Sequence, residues 1–246
     1  MDYNDACRFI KTYRDLYFTP DQPEKRKTLG ICSLNCTDRN VEDIVMEDMR
    51  SGTFGETAFA WKSGKICWDD GAERIKFRPE FEHIDDCQKY YRNGYGKPVC
   101  QDAFNQYCNG LEERKTEILL KIESKSWDEA YCSALFKAPK NFGPVNIINA
   151  MFFISSGAAP IYDSFAHKAV RALAMNIAPK NVFMGANPDK TDTESVMRMY
   201  GEYMCLLKKL FPEYIYKDGS NEFIPRELDR ALWVYGHSDR AWESND

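Results

Sequence analysis
A chain of 246 residues, 43% hydrophobic and 14% aromatic, can bury a sizeable core and is too apolar to be disordered. Its net charge of -5 and pI near 5.4 exclude a uniformly basic nucleic-acid-coating protein, although such a sum leaves room for a local basic patch. The opening Met1-Asp2-Tyr3-Asn4-Asp5 carries acids where a secretory leader carries bases, and the longest apolar stretch, residues 147–154, is broken by Asn149. The expectation is a soluble, cytoplasmic protein without membrane contact.

Nine cysteines stand at irregular spacing, and Cys32 and Cys36 form the only close pair. No second pair completes a zinc or iron–sulfur pattern, so scattered reduced thiols and no metal are expected.

Helical periodicity dominates the chain from its start. Residues 5–17 place Phe9, Ile10, Tyr13, Leu16 and Tyr17 on one face, and Pro20 and Pro23 close the helix. Residues 41–49 repeat the pattern with Ile44, Val45 and Met49, and residues 53–61 make a short helix closed by Gly64. Residues 69–96 are charged and aromatic with turn signals, and a short ribbon is expected near residues 75–77. Helices are expected at 99–108 and 111–122. Ser126 and Glu129 have the spacing of a capping box, opening a helix that runs to about Phe136. Further helices are predicted over 143–155, 162–176, 191–211 and 222–236, the last with Pro225 in its first turn and Gly236 as its C-cap. Trp61, Trp68, Trp127 and Trp233 read as core or lobe anchors. The fold class is all-α, with tentative lobes 1–125 and 126–246.

Chemistry concentrates between residues 139 and 170. Pro139-Lys140-Asn141-Phe142-Gly143-Pro144-Val145 makes a turn into an apolar helix, and Ser156-Gly157 ends that helix. A connector closing in Pro160 leads to Ile161-Tyr162-Asp163-Ser164-Phe165-Ala166-His167-Lys168, with an acid at the start of the next helix. Between residues 137 and 180 five basic residues (Lys137, Lys140, Lys168, Arg171 and Lys180) accompany one acid, Asp163. A basic island around one carboxylate suits a site facing phosphates.

This segment resembles the helix-hairpin-helix DNA glycosylases. Their hairpin ends in a glycine, here Gly143, and a P-x-x-D-T/S segment carries the catalytic acid, here Asp163, twenty residues on without a gap. Residues 162–164 and Leu228-Asp229-Arg230-Ala231-Leu232-Trp233 also resemble bacterial proteins of the 8-oxoguanine glycosylase fold. The resemblance covers about 35 residues well. It implies two helical lobes with a cleft between them, a base flipped out of DNA, and hydrolysis of its N-glycosidic bond. Backbone at Asn141, Gly143 and Val145 would meet phosphate, as a helix N-terminus can. Lys140, His167 and Lys168 would add DNA contacts, while Asn149 and Tyr162 would line the base pocket.

Two departures shape the expectation. Bifunctional relatives carry a lysine 18 residues before the acid, and Val145 stands there. That implies a monofunctional enzyme, in which water attacks and an abasic site remains, with Lys140, close in sequence but on the other side of the hairpin, as the substitute nucleophile for lyase chemistry. Asn141-Phe142 also replaces the usual Gly-Val of the hairpin. No cofactor is called for, DNA is the partner, and the protein is expected to be a monomer. The target is a damaged base or a modified phage base, the latter making this an anti-phage defence protein. The alternative is a non-catalytic DNA- or protein-binding module on the same fold. A helical interaction protein with a chance motif is the third reading.

Overall fold
The computed structural model describes residues 1–18, 22–31, 38–51, 55–62, 64–79, 101–139, 142–184, 193–212 and 224–243. In chain order these form α1 (Tyr3–Tyr13), a 3-10 turn (Arg14–Tyr17), α2 (Pro23–Thr28), α3 (Arg39–Arg50) and α4 (Glu56–Lys62). Two strands follow, β1 (Ile66–Asp69) and β2 (Arg74–Phe77), then α5 (Gln101–Glu113), α6 (Lys115–Glu123), α7 (Trp127–Ala134) and α8 (Pro144–Ile154). The chain closes with α9 (Ser164–Met175), a 3-10 turn (Pro179–Asn181), α10 (Thr193–Leu210) and α11 (Ile224–Tyr235). The described residues are thus mostly helical, as an all-α chain should be.

The chain folds as two compact units. One comprises Met1–Cys36 with Tyr162–Asp246, and the other is Thr37–Ile161. The units therefore do not follow the tentative division into 1–125 and 126–246. Residue 125 lies inside the second unit because α6 and α7 pack on each other there. Lys125 takes a left-handed turn (φ 59°) between them. Across the turn Lys121 Nζ donates to Ser133 Oγ at 2.8 Å, and Ser133 Oγ donates to Glu117 Oε1 at 2.8 Å.

In the first unit α11 packs on α1, on the first 3-10 turn and on α9, and α9 also packs on α10. Helix α1 buries Ala6, Phe9, Ile10 and Tyr13, the i, i+3, i+4, i+7 stripe of an amphipathic helix. Phe9 meets Tyr235 and Trp242 edge-on, with centroids at 5.4 and 5.3 Å. A bridge from Ile31 to Ser238 ties the chain after α2 to the chain after α11. Gly30 (φ 69°) sits at that bridge, where a Cβ would lie 2.0 Å from Asp239 Oδ1.

In the second unit Phe59, Phe104, Tyr107, Phe142 and Phe153 form an aromatic core, with Phe59 edge-on to Phe104, Phe142 and Phe153. Helix α8 buries every residue from Ile147 to Ile154, and all of these but Asn149 are apolar, as an enclosed helix requires. The expected ribbon is β2, paired antiparallel with β1 from Ile66↔Phe77 to Asp69↔Arg74.

Two local expectations are corrected. The two helices expected over 99–108 and 111–122 are present as α5 and α6, but the break between them falls at Arg114 instead of near Gly110, since α5 runs through Gly110 to Glu113. Gly110 is retained in the helix because Lys137 and Phe136 pack where its Cβ would be, at 3.0 and 3.4 Å. The Ser126 capping box does not form: Ser126 makes no side-chain cap bond, and its hydroxyl meets Ser124 Oγ at 3.2 Å instead.

Candidate functional site
Asp163 follows the buried pair Ile161 and Tyr162 and is the N-cap of α9 in extended conformation (φ -140°, ψ 139°). Its Oδ1 accepts the Phe165 backbone N–H at 2.8 Å, which fixes the carboxylate rotamer. No other acid stands in the first turn, and Asp163 is half-buried rather than enclosed.

Beside it lies an aromatic group that the sequence did not reveal. The Phe165 ring stacks on the His237 imidazole, with centroids 3.8 Å apart and planes at 17°. Trp233 packs against both rings, 4.6 Å from His237 and 6.5 Å from Phe165. His237 Nδ1 lies 2.8 Å from the Trp233 carbonyl, which can only accept, so Nδ1 carries the proton. Burial pushes the His237 pKa down, as does the Lys168 charge, against the Trp233 carbonyl and the Asp163 charge, which push it up. Gly236 permits this approach: a Cβ there would sit 2.2 Å from the Phe165 carbonyl oxygen. Gly236 therefore serves close packing between α11 and α9, beyond the expected role in ending α11. Trp233 and His237 share the i, i+4 spacing of one helix face, but their nearness to Asp163 spans some 70 residues of chain, which local pattern does not encode.

Lys168, one turn into α9, is half-buried and makes no hydrogen bond or ion pair among the described residues. It remains available to an anion. The rest of the basic island is largely neutralised. Lys137 pairs with Glu113 at 2.8 Å, Arg171 with Glu202 at 2.9 Å and Lys180 with Asp239 at 3.6 Å.

Two expected site residues belong to the core. Tyr162 and His167 are both fully buried, and the Tyr162 hydroxyl meets His167 Nδ1 at 2.9 Å. Tyr203 packs on both rings and Tyr200 on Tyr162. Tyr162 thus offers no face for a base to stack on, and His167 no edge for a phosphate. Desolvation, helped by the Arg171 charge, lowers the His167 pKa from 6.5 to about 4, so the ring is neutral.

The hairpin residues lie in the other unit. Gly143 is the N-cap of α8 in extended conformation (ψ 155°), with Pro144 in the first turn and no side chain capping the helix. The Asn146 N–H bonds back to the Gly143 carbonyl at 2.9 Å, and the Phe142 N–H to the Pro139 carbonyl at 2.8 Å. Val145 is half-buried at the helix start. Lys140 and Asn141 lie outside the described residues. Asn149 is buried, with its Oδ1 meeting no hydrogen-bond partner among the described residues.

Among the described residues no three His, Cys, Asp or Glu side chains gather as a metal site, and no helix is long and apolar enough to cross a membrane. The arrangement at Asp163 can hold a carboxylate at a fixed angle beside the partly exposed Phe165 residue, with the Lys168 ammonium further along the same helix. Comparison with protein-family models, with curated proteins and with solved structures returned no match.

Proposed function
We propose that this chain is a monofunctional DNA glycosylase that hydrolyses the N-glycosidic bond of a damaged or modified base flipped out of DNA. The observation that carries the reading is Asp163: one half-exposed carboxylate at a helix start, its rotamer set by the Phe165 N–H, with the unpaired Lys168 further along the same helix. Breaking the bond leaves electron-poor character on the sugar, and a fixed carboxylate stabilises it. The base has by then departed with the bonding pair, and water adds to the sugar carbon and gives its proton to Asp163. Val145 at the position of the relatives' lysine leaves water as the nucleophile. Phe165, about 37% exposed and with one ring face against His237, replaces Tyr162 as the aromatic contact for an extruded base. Within its own unit, the Lys168 ammonium is the phosphate contact of this reading. An anti-phage role follows if the base it removes is one that phage DNA carries and host DNA lacks.

A second reading, a non-catalytic binding module, is favoured by the ion pairing of Lys137, Arg171 and Lys180, which removes much of the basic field. Incubation with DNAs bearing oxidised, deaminated, alkylated and hypermodified bases separates the two. Strand breaks that appear only after alkali support the glycosylase. Breaks without alkali, trapped by borohydride, would assign the attack to an amine and contradict the monofunctional mechanism. DNA bound without any break on the whole panel would favour the module.

A further inference from the structure
We infer that the end of α11, Gly236-His237, is the positioning element of the Asp163 carboxylate. Its catalytic meaning rests on the glycosylase reading, while the clamp itself is a matter of geometry. Three contacts link the two in series. Gly236 lies so close to the Phe165 backbone that even a methyl group would collide, its Cβ falling 2.2 Å from the carbonyl oxygen and 2.7 Å from the carbonyl carbon. The His237 imidazole covers one face of the Phe165 ring at 3.8 Å, and is itself held by the Trp233 carbonyl at 2.8 Å. The Phe165 N–H then bonds Asp163 Oδ1 at 2.8 Å. The first turn of a helix otherwise frays, because its N–H groups lack partners within the helix. Here that turn is gripped from outside on both backbone and side chain. His237 does not touch the reacting atoms in this scheme. It acts through Phe165, by restricting where the acid's oxygens stand, and small misplacements of catalytic groups are costly in rate.

Two readouts on the full chain test this, and they fail independently. Hydrogen exchange of the Phe165 amide, followed by NMR, reports the clamp whether or not any DNA is cleaved. In His237→Ala that amide should exchange at least about tenfold faster than in the wild type, and His237→Phe, which keeps a flat ring for stacking, should restore most of the protection. Single-turnover and steady-state rates on the identified DNA substrate report the positioning. His237→Ala should lower kcat by about 10- to 100-fold with KM nearly unchanged, and His237→Phe should recover most of it. Gly236→Ala, which pushes on the same turn from the backbone side, should act in the same direction. Unchanged Phe165 exchange in both alanine variants would overturn the clamp. Faster exchange with kcat unchanged, or with the loss confined to KM, would overturn the positioning role. Faster exchange in a protein that cleaves no DNA would support the clamp and overturn the glycosylase reading.

Discussion

His167 and Glu202 show how burial decides the state of a single residue. His167 Nε2 lies 3.8 Å from Glu202 Oε2, a distance that suggests an ion pair. The ring is fully buried, however, and Arg171 takes the same carboxylate at 2.9 Å, so desolvation wins and the imidazole stays neutral. Because the folded pKa is depressed from 6.5 to about 4, this stabilisation is complete above pH 6.5 and is lost as pH falls towards 4. The loss amounts to roughly 3 kcal/mol. His167→Gln should flatten the dependence of urea-denaturation stability on pH in that window, and an unchanged slope would contradict the assignment. Asp163 has two duties that substitution can separate. Asparagine caps helices as well as aspartate does, so Asp163→Asn should leave Tm nearly unchanged, whereas Asp163→Ala should cost about 1 kcal/mol. On the proposed chemistry both should lose activity alike, by about 100-fold or more. Asp163 was readable in the sequence as the only acid among five bases. Tyr162 and His167 were misassigned because an aromatic and a histidine flanking a helix start look the same in sequence whether they face solvent or core.

Helices were the most legible elements, since the apolar stripe of α1 and the long run of α10 write their faces directly into the chain. Caps were less so, because a capping residue type does not ensure a capping bond. Asp38 caps α3 through Asn40 N–H at 3.0 Å and also reaches the Trp68 N–H at 3.3 Å, whereas Ser126 caps nothing with its hydroxyl. Asp38→Ala should therefore cost about 1–2 kcal/mol and Ser126→Ala less than about 0.5 kcal/mol in denaturant titration. A reversal of that order would contradict the assigned caps. Helix α11 carries a second test. Its buried Arg226 pairs with Asp229 and donates to the Tyr17 hydroxyl at 2.8 Å. Removing only the arginine strands a carboxylate in the core, so Arg226→Met should cost about 3–5 kcal/mol, and adding Asp229→Leu should restore most of it. Additive losses in the double variant would show that the two charges do not depend on each other.

The whole molecule answers a question that charge counting along the sequence left open. A chain of net -5 with a basic island between residues 137 and 180 could present a strong local field. The fold instead pairs Lys137, Arg171 and Lys180 with acids from elsewhere in the chain, and only Lys168 of the described island stands unpaired. Such pairing is invisible in sequence because Glu113, Glu202 and Asp239 lie 24, 31 and 59 positions away. The division into units was equally hidden, since its boundary at Ile161/Tyr162 follows which helices share a core rather than any linker composition. If DNA is the partner, binding should rest on few phosphate contacts and show a shallow salt dependence, and Lys168→Ala should reduce the log–log salt slope by about 1. A slope unchanged by that variant would remove Lys168 from the interface. The central claim is tested most directly by abasic-site formation on a panel of base-modified duplex and phage DNAs, comparing the wild type with Asp163→Asn. The account predicts alkali-dependent breaks with the wild type on at least one DNA and none with a folded Asp163→Asn protein. Equal breakage by both proteins would contradict the assignment of Asp163, and no breakage by the wild type on any of them would contradict the glycosylase itself.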